Sequence, residues 1–349
     1  MKVFNYNNLK NVKWDNTIVN YLSIIHEEKG KQQLYLKQIS VELDRLVETA
    51  KIQSTECSNE IEGIRTTNTR LKQIVNEMSS PKNRAEEEIA GYRDALNVIN
   101  DNFEFIPLTP NFILQLHGIL FSHSSSSHGG KFKSVQNYIS ATDESGKSYT
   151  LVTPLSPFET PMAIQDICDE YNRVLSEGTI DPLILIPIFI HDFLCIHPFI
   201  DGNGRMSRLL TTLLLYRSGY YVGKYISLEE MIVKTKDLYY NALYDSQTNW
   251  HNNEDDPTPF IKYILGTIVS AYREFEKRIE LVSIKKPAIE IVRQAIKNKI
   301  GKFTKRDILD LVPSLSSTSV ERSLQELCNS CEIKKMGNGK TTYYIKIEK

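Results

Sequence analysis

Twelve residues carry most of the chemistry this chain could perform: His197-Pro198-Phe199-Ile200-Asp201-Gly202-Asn203-Gly204-Arg205, followed by Arg208. An ordinary histidine titrates near neutrality, so His197 can take a proton from an attacking hydroxyl. Asp201 offers hard carboxylate oxygens suited to Mg²⁺. Gly202 and Gly204 let a ligand approach the main chain closely. Arg205 and Arg208, three apart on a helix, share a face and can fork onto phosphate oxygens. A base, a metal ligand, an anion cradle and two arginines in this order suit a nucleoside triphosphate. The competing reading is a loop in which Asp201 caps a helix and His197 satisfies a buried carbonyl. That reading accounts for each residue singly but not for the combination.

Two helices must position these groups. Apolar residues run from Leu183 to Cys195, which predicts a buried helix. Pro198 cannot continue it, so His197 falls at its C-terminal edge. Periodic apolar residues resume at Met206, and a second helix opens near Gly204. Its first N–H groups lack intrahelical partners and carry the positive end of the helix dipole, a ready phosphate site.

The segment HPFIDGNGRMSR resembles, without a departure, the HPFxDGNGRxxR signature of Fic-domain proteins. HDFLCIHPF before it, RLLTTLLLYRSGY after it and LYYNALYDSQ downstream extend the resemblance over most of residues 50–280. The resemblance implies a mainly α fold: an all-helical Fic core with a β-hairpin flap. It implies transfer of AMP from ATP to a Ser, Thr or Tyr hydroxyl of a target protein, releasing pyrophosphate, with Mg²⁺ or Mn²⁺. His197 would deprotonate the hydroxyl and Asp201 would hold the metal. Gly202, Asn203 and Gly204 would form the anion hole, with the Asn203 side chain on the α-phosphate. Arg205 and Arg208 would take the outer phosphates, and Phe199 would anchor the loop.

Three further elements take their meaning from the same resemblance. Ser58-Asn59-Glu60-Ile61-Glu62-Gly63 is similar to the family's inhibitory [S/T]xxxE[G/N] motif, with Ser58 and Glu62 on one helical face and Gly63 as a C-cap. Glu62 would pair with Arg208 and occupy the γ-phosphate position. GKFKSVQNYIS resembles the segment before the flap, with Lys133 where arginine is common. The pattern SYTLVTPLSP predicts β structure bounded by Gly146 and Pro154. The flap would dock a target by strand addition, with Val152 and Thr153 near the cleft. Tyr239, Tyr240 and Gln247 stand where the family frames adenine.

Composition bounds the rest. The chain has 349 residues, 41% of them apolar, and a net charge of −1. That is enough for a large core and two or three domains, without bias towards nucleic acid or membrane. The N-terminal stretch is mixed and polar, and the longest apolar run, near residues 183–200, contains His191 and Asp192. Five scattered cysteines point to reduced thiols, hence a cytoplasmic setting. Cys328 and Cys331 have no second pair and no nearby histidine, so they read as packing or incidental residues, and His191 reads as a buried, hydrogen-bonded histidine.

The predicted organisation is an N-terminal helical region over 1–105, with an inhibitory helix near 54–64, a Fic core over 106–282 and a C-terminal unit over 283–349. From Lys285 onward there are 14 basic and 7 acidic residues, a net of +7. Three helical stretches precede a strand pattern around Asn338-Gly339, a hairpin signal. The order resembles a winged helix-turn-helix. Its DNA reading puts Ser319–Gln325 in a major groove and Lys334, Lys335 and Lys340 on phosphates. The expected partners are a hydroxyl-bearing protein target, the chain itself, a homodimer and duplex DNA, with no membrane. Rival readings are removal of AMP, transfer of another phosphate-linked group, and a DNA-binding regulator that uses the core as a nucleotide sensor.

Overall fold

The computed structural model describes residues 2–38, 40–126, 128–142, 148–283, 287–297, 299 and 301–347. The N-terminal part contains α1 (Asn16–Gln38), α2 (Ser40–Ile61), α3 (Asn68–Val75), α4 (Arg84–Asn102) and α5 (Pro110–Leu120). A two-stranded antiparallel sheet follows, β1 (Ile139–Thr142) with β2 (Ser148–Val152), pairing Ile139 with Val152. Then come α6 (Thr160–Glu177), α7 (Pro182–Ile196), α8 (Asn203–Arg217), α9 (Leu228–Lys234), α10 (Lys236–Gln247) and α11 (Thr258–Ser283). The C-terminal unit holds α12 (Ala288–Lys297), α13 (Lys305–Leu311), α14 (Ser317–Asn329), β3 (Ile333–Met336) and β4 (Tyr343–Lys346). The mainly helical class and the hairpin expected of the flap are as predicted. Gly146 lies outside the described residues.

Helix α7 is the axis of the main core. Asp181 caps it by accepting from the Leu183 N–H, and every residue from Leu183 to Ile196 is buried. Helices α6, α8 and α11 pack around it, which explains a run that is apolar on all sides. Its two polar residues face a buried ionic knot. Asp192 accepts from Tyr6 Oη at 2.8 Å and from Trp250 Nε1 at 2.7 Å, while Lys2 pairs with Asp255 at 2.5 Å beside them. His191, Asp192 and Asp255 converge here, the one such metal-capable group among the described residues, and the Lys2 ammonium already meets Asp255. Burial lowers the His191 imidazole to about 4 and raises the Asp192 carboxyl to about 6. The knot pins the N-terminal segment and the turn at 250–256 against the back of the helix that ends at His197.

The C-terminal unit has a separate core, built from Val292, Ile296, Phe303, Ile308, Val320, Leu324, Ile333 and Tyr344 among others. Phe303 pairs through its backbone with Tyr344, which fastens the chain before α13 to β4. The expected hairpin is present with a different turn. Residues 337–342 form the connection, and Asn338 is extended at φ −136°. A two-residue Asn-Gly turn would need positive φ at both positions. Among the described residues, no helix is long and apolar enough to cross a membrane.

Two cores imply two cooperative units. Leu324→Ala removes a fully buried side chain of the second core and should cost that unit about 2–5 kcal/mol. Calorimetry should then resolve an early C-terminal transition ahead of an unchanged main one. A uniform shift of a single endotherm would show that the cores unfold together.

Candidate active site

The site forms where α7 stops. His197 takes a left-handed conformation, φ 51° and ψ 62°, with its N–H on the Phe193 carbonyl. A non-glycine residue there costs roughly 1–2 kcal/mol, so the surroundings must impose it. Pro198 removes one backbone donor, and Phe199, fully buried, plugs the loop into the core. The Phe199 ring stacks on His117 with centroids 3.6 Å apart and planes at 4°. His117 accepts from the Gly130 N–H at Nδ1, so Nε2 carries its proton and donates to the Asp201 carbonyl at 3.1 Å. Burial lowers the His117 imidazole to about 4, which keeps that tautomer neutral.

His197 donates from Nδ1 to the Leu194 carbonyl at 3.3 Å, which leaves Nε2 as the basic nitrogen. Burial lowers its pKa to about 4, against an ordinary value of 6.5, with the Lys133 charge acting in the same direction. The ring is therefore neutral at physiological pH, a stronger bias than its residue type alone predicts.

Gly202 caps α8 with φ 83°, and a Cβ there would press on the Phe121 ring at 2.9 Å, so both conformation and space call for glycine. Asp201 accepts from the Gly202 N–H at 2.6 Å, and its side chain is about half exposed. The Asn203 amide braces the loop. It accepts from the Phe199 N–H and donates to the Phe199 carbonyl, at 2.9 and 2.8 Å. One amide hydrogen staples the loop, which leaves the second and the backbone N–H as the donors Asn203 could turn to a phosphate.

The two arginines do not fork together. Arg205, 1% exposed, pairs with Glu88 of α4 at 2.9 Å, and its guanidinium lies over the Phe121 ring. Arg208 turns to α2, donating to Ser58 Oγ at 2.8 Å, to the Ser58 carbonyl at 2.9 Å and to Glu62 Oε1 at 2.7 Å. Carboxylates on opposite sides, Glu88 buried and Glu62 part-exposed, separate them. Glu62 lies just past the end of α2, where Gly63 takes positive φ, and a Cβ on Gly204 would overlap the Glu62 carboxylate. Thus a carboxylate covers the first turn of α8.

Of the residues expected to frame adenine, Tyr239 is 4% exposed and closed in by Phe260 and Tyr263. Tyr239 is thus buried while Tyr240 is part-exposed, and Gln247 is half-buried at the end of α10. Val152 ends β2 half-buried. Thr153 is exposed, and its carbonyl accepts from His251.

Several participants escape the sequence reading. Lys236 donates to the Ile61 carbonyl at 2.8 Å and so caps the end of α2 next to Glu62. Tyr92 donates to Glu229, which also accepts from Ser227, beneath Arg208. Lys133 and Asn137 bond the carbonyls at the end of α7. Lys133 and Asn137 at i and i+4 could have been noticed as a pair; nothing in the sequence marks His117, Glu88 or Glu229.

Residues 107–215 match the profile of the Fic/DOC family. The chain is similar to Protein adenylyltransferase fic-1 of Caenorhabditis elegans, 28% identical over 184 residues that make up 52% of this chain and 32% of that protein. Protein adenylyltransferase Fic of Nematostella vectensis is 26% identical over 252 residues, 68% of this chain and 52% of that protein. The chain thus spans about a third to a half of the length of these curated relatives. A Fic family protein from Desulfovibrio desulfuricans G20 shares the fold with a TM-score of 0.64 at 20% identity, over 97% of this chain and 98% of that one. Fic-1 of C. elegans gives 0.61 at 22% identity, over 76% and 73%. Helix α7, the His197 loop and nearly all of α8 fall inside the span that matches the Fic/DOC family.

Proposed function

We propose that this chain transfers AMP from ATP to a Ser, Thr or Tyr hydroxyl of a target protein, and that its own Glu62 holds it inactive. The observation that carries this reading is the Glu62 carboxylate on Arg208 at the start of α8. A helix start and a buried guanidinium make a seat for an anion, and an internal anion sits in it. The names of the relatives, protein adenylyltransferases, support the same chemistry.

In this reading His197 Nε2 takes the proton of the target hydroxyl, whose oxygen attacks the α-phosphorus while pyrophosphate leaves. The free N–H groups of the first turn of α8 and its dipole oppose the charge that develops. Arg205 suits this role because its Nε is buried and has no hydrogen-bond partner among the described residues. Arg208 would exchange Glu62 for the terminal phosphate. Asp201 suits a divalent cation, Mg²⁺ or Mn²⁺: its carboxylate opens to solvent, and Oδ2 accepts nothing among the described residues. Such an ion, when bound, neutralises phosphate charge. Tyr240 and Gln247 would flank the base, and the β1–β2 hairpin with Val152 and Thr153 would dock the target backbone. The target includes the chain itself. A cytoplasmic setting and a homodimer belong to the same proposal. So does duplex DNA on the exposed lysines Lys334 and Lys335 of β3 rather than on α14, whose exposed face carries Glu321 and Glu326.

Transfer is read out with ATP labelled at the α- or the γ-phosphate, in Mg²⁺ and a cell lysate. Glu62→Gly should raise α-label incorporation by at least about tenfold, equivalent to about 1.4 kcal/mol in barrier. Adding His197→Ala should abolish it. Label from the γ-position would mean a kinase. No label from either variant would remove the proposal.

The pH profile tests the base. His197 is active when neutral, and burial lowers its pKa, so the active form persists into acid. Removing the Glu62 charge, which raises that pKa, extends the effect. In Glu62→Gly the rate should stay flat between about pH 8 and 5 and fall only below. An acid limb near the ordinary histidine value of 6.5 would show that the imidazole is solvated in the active enzyme.

A further inference from the structure

We propose that Lys133 and Asn137 are positioning residues that hold the carbonyls of residues 196–199 and thereby aim the His197 ring. The kinetic consequence rests on the transfer reading above; the geometric one does not.

Lys133 donates from Nζ to the Ile196 carbonyl at 3.0 Å and to Asn137 Oδ1 at 3.0 Å, and from its backbone N–H to the Pro198 carbonyl at 2.9 Å. Asn137 Nδ2 donates to the carbonyls of His197 at 3.1 Å and Phe199 at 2.9 Å. Four consecutive carbonyls are thus held by two side chains and one backbone N–H. The Ile196 carbonyl is an orphan of the last turn of α7, and the other three lie in the loop beyond it, out of reach of that helix's own N–H groups. The same four residues carry the left-handed turn. Without this clasp the carbonyls of Ile196, His197 and Pro198 would turn to water, and the left-handed His197 would rest on the Phe199 plug and the Asn203 staple alone.

Burial argues that the lysine is more than filler. Lys133 is 3% exposed, and no carboxylate lies within salt-bridge distance of it among the described residues. Glu159 is the nearby negative group, and His197 feels its positive charge. The ammonium meets the negative end of the α7 dipole, which offsets part of its desolvation. Burial lowers the amine to about 8. A neutral amine keeps two N–H donors for its two acceptors, so the clasp survives deprotonation. Asn137 stands two residues before β1, so one device joins the base to the hairpin proposed to present the target.

The test uses the full chain carrying Glu62→Gly, with Lys133→Met, Lys133→Arg and Asn137→Ala added singly. Lys133→Met and Asn137→Ala should lower kcat for transfer by about 100-fold, the cost of a misaimed base, with KM for ATP within about threefold. Lys133→Arg, which keeps a donor and a charge at the carbonyls, should recover most of the loss. A kcat within about twofold of the parent for both lysine variants would overturn the proposal. So would a loss from Lys133→Met that follows thermal stability alone and is not rescued by arginine. The second readout is independent of transfer: ring-nitrogen NMR of the histidine-labelled chain, with His197 assigned by its absence in His197→Ala. Lys133→Met and Asn137→Ala should shift its tautomer and titration signals, whereas unchanged signals would overturn the clasp even if no variant transfers label. A silent Glu62→Gly parent with shifted signals would instead remove the transfer reading and leave the clasp standing.

Discussion

Helix α7 ends against its own backbone preference, and the arrangement around His197 follows from the need to hold that end. A left-handed non-glycine residue, a proline without a donor and four carbonyls without helical partners would leave the chain free to relax. Three devices prevent it. Phe199 is driven into the core against His117, the Asn203 amide staples the Phe199 backbone from the next helix, and Lys133 with Asn137 takes the carbonyls. Each device comes from a different element, so loop shape is a property of the packed domain rather than of the motif alone. The apolar run of α7 makes this possible, because it fixes the helix before the turn begins.

Arg208 sets a second constraint. A buried guanidinium left without an anion is costly, so it must always have a partner. Ser58 and Glu62 fill that need here, and Tyr92 with Glu229 closes the space beneath. A triphosphate at this position would have to replace the Glu62 carboxylate, and the exchange would trade one charge-assisted contact for another. The energy difference between the two states is therefore small compared with either contact. On the proposed reading, inhibition by a single glutamate would be effective under that condition and reversible.

Much of this was legible in the residue order. The Leu183–Cys195 helix, the break at Pro198 and the new helix at Asn203 follow from apolar periodicity and proline, and the Ser58–Glu62 spacing pointed to Arg208 through the resemblance. Side-chain choices between equivalent partners were not legible. Arg205 and Arg208 share a face by spacing, yet Glu88 draws one towards α4 and Glu62 the other towards α2, and only tertiary packing decides that. Tyr239 and Tyr240 are adjacent and alike, but one faces Phe260 and the other faces solvent. Asn338-Gly339 had a strong local signal, and the connection between β3 and β4 used six residues instead. The neutrality of His117 and His197 could not be anticipated either, because burial rather than residue type lowers them, whereas His191 was legible as buried from its apolar run.

Helix α2 carries Ser58 and leads into Glu62, and it is not a free lid. Lys236 caps its end at Ile61, and Arg306 of α13 pairs with Glu56 at 3.0 Å, two residues before Ser58. Arg45, near the other end, donates to the Ser314 carbonyl ahead of α14. The contacts differ in weight. The Arg306–Glu56 pair is part-exposed and worth at most about 1 kcal/mol, whereas the Arg208 contacts are buried and directional. The C-terminal unit therefore braces α2 without locking it, and the main hold lies at Arg208. The contact that keeps α2 in place is thus the same one a terminal phosphate would have to take over, so on the proposed reading α2 and a nucleotide would compete for one guanidinium rather than for a surface.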